Sequence, residues 1–323
     1  MVAMLLRITL SISYHRRLKA TLPDQLRIEI EYHITQTGRF LSALCFWTNK
    51  PIILCMEEIR RGFTRLKLSR HSLIYGIAAV IILLWWVYTP PGLLGKADAI
   101  GYAVCHRIGE RSFHIAGRQM PLCARCTGMY LGSTLGLAYQ FITQPRKAAL
   151  PPRKILAVMA FIVIFWAVDG TNSYLHLFPN APGLYQPNNV LRLLTGSGIG
   201  MVVAMALFPV FNQTVWSEYD PRPAVAGFHT LGKLALMTLA MDALVLSEHP
   251  LILYPAALIS AAGVLILLSI VYGMILLMLT KAENKIQTFQ QVSLPLAAGL
   301  IFAILQVSSV SYTHLTLPTI YSV

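Results

Sequence analysis

The sequence predicts an all-α fold, a polytopic bundle of about seven transmembrane helices with a Cys/His-rich loop on its extracytoplasmic side. Three observations carry that expectation. The 323-residue chain is 56% hydrophobic and only 12% charged, with a mean hydropathy of +0.61, whereas soluble domains carry about a quarter charged residues. Its apolar residues form continuous runs, unlike the alternating pattern of lipid-facing barrel strands. Its lysines and arginines gather in every second connection between those runs.

Runs long enough to cross about 30 Å of hydrocarbon as helix occupy residues 73–88, 127–142, 155–168, 190–211, 234–246, 251–279 and 292–307. The third and fifth are short and draw on flanking residues to reach the interfaces. The formal net charge of +13 would suit a nucleic-acid ligand if it formed one patch, but its placement points elsewhere. Arg60, Arg61, Arg65, Lys67 and Arg70 precede the first run. Arg146, Lys147, Arg153 and Lys154 follow the second, Arg222 and Lys233 the fourth, and Lys281 and Lys285 the sixth. Simple alternation puts all of them on one side, which the positive-inside rule makes the cytoplasm. The chain is therefore expected in a prokaryotic cytoplasmic membrane with its N-terminus cytoplasmic, the lipid bilayer as its main partner and no nucleic acid. The connections 169–189 and 248–250 fall outside.

The segment 105–126, CHRIGERSFHIAGRQMPLCARC, holds three of the five cysteines and also falls outside. Cys123 and Cys126 form a C-x-x-C pair whose spacing lets two thiolates meet one tetrahedral ion, with Cys105 and His114 as third and fourth ligands. His106, adjacent to Cys105, points elsewhere. Three thiolates and an imidazole select zinc over the oxygen-seeking magnesium and calcium. Two other readings fit the same residues. A structural disulfide suits an oxidising compartment. A redox-active Cys123/Cys126 pair suits the start of a helix with Arg125 between the two thiols, because helix dipole and cation both lower a thiol pKa. Cys45 and Cys55 read as ordinary small apolar residues.

Arg107, Arg111, Arg118 and Arg125 are not needed for orientation on that side. Guanidinium forks suit phosphate, so these four, with Asn189, are the expected contacts to a phosphate-bearing or lipid-linked substrate. The bland alternative for each arginine is a headgroup contact or a pair with Glu110 or Asp98. Alternation places Asp169, at the end of the third run, and Arg192, at the start of the fourth, level with the cysteine loop. They join His106 and Glu110 as candidate catalytic residues. Asn188, Asn189 and Thr195 orient the same site or cap the fourth run. Asp242 lies within the fifth run, where a carboxyl needs a partner inside the bundle. Gly128, Gly132 and Gly136 on the second run, with Gly196 and Gly200 on the fourth, recur at the spacing that lets helices approach closely.

The run CHRIGERSFHIAGRQMPLCARCTGMYLG, the Asp169–Gly170 pair and NNVLRLLTGSGIG at 188–200 resemble the family of bacterial and archaeal membrane proteins catalogued as domain of unknown function 2085. The resemblance covers about residues 56–211 well and the rest weakly. It departs from the family's pattern at Gly109, where proline is common. It implies a polytopic membrane protein and no particular activity.

Residues 1–55 mix polar and broken apolar stretches and read as a leader upstream of a mis-assigned start, with a cytoplasmic amphipathic extension as the competing reading. The transmembrane domain is expected at 56–310. The stretch 311–323 replaces the apolar pattern abruptly and reads as a non-native tail. The expected function is a metal-dependent membrane enzyme in which zinc, His106 or Glu110 activates water beside an Arg/Asp/Asn cleft. A membrane thiol-disulfide oxidoreductase using Cys123 and Cys126 is the alternative from a second class. A small-solute transporter with Asp242, Asp169 and Arg192 along its path comes from a third.

Overall fold

A computed structural model describes residues 70–178 and 183–316. The expected leader, with Cys45 and Cys55, lies outside the described residues, as do 317–323. The described chain is helical throughout its apolar runs. In order it forms α1 (Arg70–Tyr88), α2 (Leu93–Val104), a 3-10 turn (Gly109–Arg111), β1 (His114–Ile115), β2 (Arg118–Gln119) and α3 (Ala124–Thr143). Then follow β3 (Lys147–Ala149), α4 (Arg153–Leu175), α5 (Asn189–Val215), β4 (Asp220–Pro223), α6 (Phe228–Leu246), α7 (Pro250–Leu279) and α8 (Phe289–Thr316). Each of the seven expected runs lies within one of these helices, but α3 is not apolar enough to count by itself as a membrane-crossing helix. The helices α4 to α8 are each long and apolar enough to cross a membrane alone.

The helices α1 and α2 meet that criterion only as a pair, bent by 102°. The bend follows from the sequence Thr89-Pro90-Pro91-Gly92. Proline cannot continue the backbone ladder, and Gly92 takes a positive φ of 79°. The carbonyls freed at the end of α1 are met from α2, where the buried Lys96 donates to Trp86 O and to Thr89 O (2.8 Å). The helix α8 runs on through 311–316, and Ser311 is buried within it, so the change of sequence pattern at 311 is not a helix end.

The helix α5 is the centre of the bundle, and α3 lies against it. Asn188 caps α5 by accepting from Leu191 N (2.8 Å). The buried face of α3 carries Gly128, Gly132, Ser133, Gly136 and Gln140, which makes it less apolar than its neighbours and turns that polarity toward protein. The contact is backbone on backbone. A β-carbon built on Gly128 would stand 2.4 Å from Leu193 O, one on Gly132 2.5 Å from Ser197 O, one on Gly196 2.1 Å from Arg125 O, and one on Gly200 2.2 Å from Met129 O. All are inside van der Waals contact, so no residue larger than glycine fits without moving a helix. The expected docking of the second run on the fourth is therefore present.

The connections sort to two ends. The links α3–α4, α5–α6 and α7–α8 are tied together, with β3 pairing parallel to β4. Trp216 bridges to Ile286, Asn212 Nδ2 donates to Lys147 O (2.8 Å) and Arg146 to Gln287 O (2.9 Å). This end carries the basic residues of those three links, Arg146, Lys147, Arg222, Lys281 and Lys285 among them, while Arg60, Arg61, Arg65 and Lys67 lie outside the described residues. The opposite end carries the α2–α3 loop with its cysteines and the α4–α5 link.

Replacing Gly132 or Gly196 by Ala is expected to lower stability by about 1–3 kcal/mol, the cost of forcing volume into a packed contact. Gly232→Ala in α6, where an added β-carbon meets nothing, should be neutral or stabilising by up to about 1 kcal/mol. Thermal unfolding of the detergent-solubilised chain measures all three. Equal midpoints would mean that α3 and α5 do not approach this closely.

Candidate metal centre

Local sequence brings the three cysteines together. Gly101 in α2 lies against the backbone of Pro121, where a β-carbon would be 2.1 Å from the carbonyl oxygen. That contact lays the end of α2 along the segment that enters α3. Phe113, Met120 and Leu122 are buried beneath the loop, and Met120 N donates to Phe113 O (3.0 Å). Cys105 then caps α2, Cys123 occupies the N-cap of α3, and Cys126 lies in its first turn. Their three sulfur atoms lie within 4.8 Å of one another. All three are half-buried free thiols.

The charge in this trio is shared unequally. The Cys105 sulfur accepts from the Cys123 and Cys126 thiols, which holds it far below the ordinary thiol range against the opposing effect of burial. Cys123 N also donates to it (3.3 Å). The Cys123 thiol is pushed up, first because it donates to Cys105.

His114 is not among the residues brought together. It stands exposed in β1, paired with Gln119. The hairpin turns through Ala116 and Gly117, both at positive φ (47° and 82°), as a tight two-residue turn requires. That turn holds His114 in a strand, facing solvent. His106 and Glu110 are also exposed, and Glu110 contributes its backbone carbonyl, which accepts from Asn189 Nδ2 (3.3 Å).

The arginines divide into two groups. Arg107 and Arg118 both pair with Asp98, at 2.8 and 2.5 Å, and the Arg107 guanidinium lies over the Tyr102 ring at 4.2 Å. These two are spent on α2. Arg111, Arg125 and Arg192 converge on Ser173 of α4. Arg111 donates to its carbonyl (3.0 Å), Arg125 to its hydroxyl (3.1 Å) and Arg192 Nε to the same hydroxyl (3.4 Å). Arg192 also donates to Asn189 Oδ1 (2.9 Å).

The counter-charge is Asp169, 1% exposed. It is paired with Arg125 and accepts from Thr195 Oγ1 (3.0 Å) and Tyr185 OH (2.7 Å). Burial, then the bond to Asp169, pushes the Tyr185 phenol up to about 12, so it stays a neutral donor. Three guanidiniums face one carboxylate, which leaves the cluster with surplus positive charge. Arg125 lies in the chain between Cys123 and Cys126 and reaches Asp169 and Ser173, so cations and thiols form one neighbourhood.

Ser173 and Tyr185 were not anticipated. Ser173 has a legible signal, since it follows Asp169 by four residues and so shares its helix face. Tyr185 reaches Asp169 from the α4–α5 link, where no periodicity predicts it. Asp242 does find its partner, Ser197 Oγ at 2.5 Å, across the α5–α6 contact.

The family model described as a predicted membrane protein, DUF2085, matches residues 105–206. That segment contains the three cysteines, Arg111, Arg125, Asp169, Ser173 and Arg192. An uncharacterised protein of Methanocaldococcus jannaschii is 32% identical over 122 residues, 38% of this chain and 72% of that protein. One of Methanothermobacter thermautotrophicus is 37% identical over 102 residues, 31% of this chain and 82% of that protein. No solved structure matches this chain.

Removing the Asp169 carboxylate leaves buried guanidinium charge uncompensated. Asp169→Ala is expected to cost about 3–5 kcal/mol, read as a large drop in thermal midpoint. Asp220→Ala, which breaks an exposed pair with Arg222, should leave the midpoint where it is. Similar midpoints for the two variants would remove Asp169 as the anchor of the cluster.

Proposed function

The chain belongs to the DUF2085 family of membrane proteins, and we propose from that premise that it holds one zinc ion through Cys105, Cys123 and Cys126 on the extracytoplasmic face. The observation that carries this reading is the convergence of three sulfurs. A tetrahedral ion with Zn–S bonds of about 2.3 Å sets its sulfurs about 3.8 Å apart, within the separation found here. A disulfide would use two of the three and leave one over. Thiolate donors select thiophilic ions. With His114 held away, the protein offers three ligands and leaves a fourth position, the pattern of catalytic rather than structural zinc sites.

The arginine cluster supplies the rest of the reading. Surplus positive charge beside three thiolates offsets their charge, and Arg111, Arg125 and Arg192 together match the oxygens of a phosphate. The function is then a metal-dependent membrane enzyme acting on a phosphate-bearing or lipid-linked substrate. Zinc, when bound, supplies a Lewis acid for an oxygen of that substrate. Arg111 and Arg192, with Asn189, hold the phosphate. Asp169 positions Arg125, since both of its oxygens are already engaged. His106 and Glu110, exposed on the loop, are the groups available to move a proton to or from water. Arg107 and Arg118 hold the loop to Asp98. The extracytoplasmic placement rests on the basic connections at the opposite end of the bundle.

A second reading, a thiol-disulfide oxidoreductase, is favoured by one observation. Cys123 sits at the N-cap of α3 with Cys126 in its first turn, where a helix terminus stabilises a thiolate. Elemental analysis with thiol counting on the native protein separates the two. The metal reading expects about one zinc per chain, lost in Cys105→Ser, Cys123→Ser and Cys126→Ser and kept in His114→Ala. A metal-free protein with a reducible Cys123–Cys126 disulfide would overturn it in favour of the redox reading.

A further inference from the structure

The connector end of the bundle carries a cavity of about 670 Å³, within the range of about 300–1,000 Å³ typical of small-molecule sites. Its walls include Phe141 and Phe211 at the back, Trp216 and Phe289 at the connector end, and Ile266 and Ile270 on α7. It extends along α8 from Phe289 to Leu300, roughly 16 Å of helix. Two serines also line it, but their hydroxyls are spent. Ser269 donates to Leu265 O (2.6 Å), and Ser293 donates to Gln290 O (2.5 Å) while bonding Tyr75 OH (2.7 Å). Water needs two to four polar partners to occupy a cavity, and these walls present almost none.

The rim is charged. The Arg146 guanidinium lies 4.5 Å from the Trp216 ring centroid and 5.9 Å from that of Phe289. It donates to Gln287 O (2.9 Å), and its other N–H groups have no protein partner among the described residues. Lys147 follows it in the chain. Phe289 is exposed beside this cation and Ile266 is exposed partway along α7, so the cavity is open to the surface along its length with the cation at its connector end. An apolar slot about as long as a hydrocarbon chain, with a guanidinium fork at the connector end, matches one kind of molecule.

We infer that this cavity binds an anionic glycerophospholipid, one acyl chain in the groove that α7 and α8 form with Phe141 and Phe211 and the phosphate against Arg146. The site lies at the end of the bundle opposite the thiols and is independent of the proposed metal. Cation stacking on aromatic faces holds Arg146 in place, and its free donors supply the phosphate contact.

The test is native mass spectrometry of the full chain after exchange into nanodiscs of phosphatidylglycerol or phosphatidylcholine. The wild-type chain should keep one phosphatidylglycerol as detergent strips the remaining lipid, and several-fold less phosphatidylcholine. Ile266→Trp, which fills the slot, should abolish retention of both. Arg146→Gln, which changes no cavity-lining residue but gives up the stacking on Trp216 and the bond to Gln287 O, should lower phosphatidylglycerol retention to the phosphatidylcholine level in a chain that still folds by thermal unfolding, and it decides the matter if Ile266→Trp fails to fold. Equal retention of the two lipids by the wild-type chain, unchanged retention in Arg146→Gln, or a lipid-free dimer of the chain would each overturn the proposal.

Discussion

The contact of α3 with α5 is the constraint on which the rest of the structure depends. Lipid tails are as apolar as leucine, so helices in a bilayer gain little from burying apolar faces and associate through close packing instead. Glycine makes the closest packing available. With Gly128 against Leu193 O, Gly196 against Arg125 O and Gly200 against Met129 O, the two backbones touch along several turns. The contact begins at the first turn of α3, where Cys126 and Arg125 sit. Fixing Arg125 O against Gly196 also fixes Arg125 next to Thr195 and one turn from Arg192. The charged cluster is therefore a consequence of the glycine contact.

The same close approach explains which polar groups the bundle tolerates. Asp242 reaches Ser197 with one oxygen, and the Ser197 backbone lies against Gly132, so a carboxyl inside a span finds its partner beside the α3–α5 contact. A buried group of this kind costs several kcal/mol in hydrocarbon without a partner. Asp169 meets the same demand nearer the end of its helix with Arg125, Thr195 and Tyr185. Both carboxyls face α5, the central helix.

Much of this was legible in the sequence. Each apolar run became a helix, because a run of that length has few other ways to satisfy its backbone in hydrocarbon. The glycine spacing marked the right pair of helices, and alternation of spans placed Asp169 and Arg192 beside the cysteines. What escaped was set by contacts between segments distant in sequence. His114 lies between Cys105 and Cys123 and looks available, but a two-residue turn decides where it points, and Ala116 gives no turn signal of the kind Asn or Asp gives. Arg107 and Arg118 look like Arg111 and Arg125 in the sequence. They differ because Asp98, one helix back, is within reach of the first two only. The short α2 also escaped, since it gains its place from Lys96 and the Pro90–Pro91 break rather than from its length.

The two ends of the bundle satisfy their polar groups by different means, and this decides where chemistry is possible. At the connector end, backbone meets backbone across β3 and β4, and the Asn212 and Gln213 amides close on the carbonyls of Lys147 and Ala148. Such bonds are saturated once made. At the thiol end the links are tied chiefly by side chains, with three guanidiniums sharing one serine and one carboxylate while three sulfurs converge on one point. Guanidiniums in surplus still attract an anion, and thiols drawn to one point still attract a cation. Unsatisfied capacity of both signs within one neighbourhood is what the proposed metal and anionic substrate would require, and the convergence of three sulfurs and three guanidiniums puts it at the thiol end.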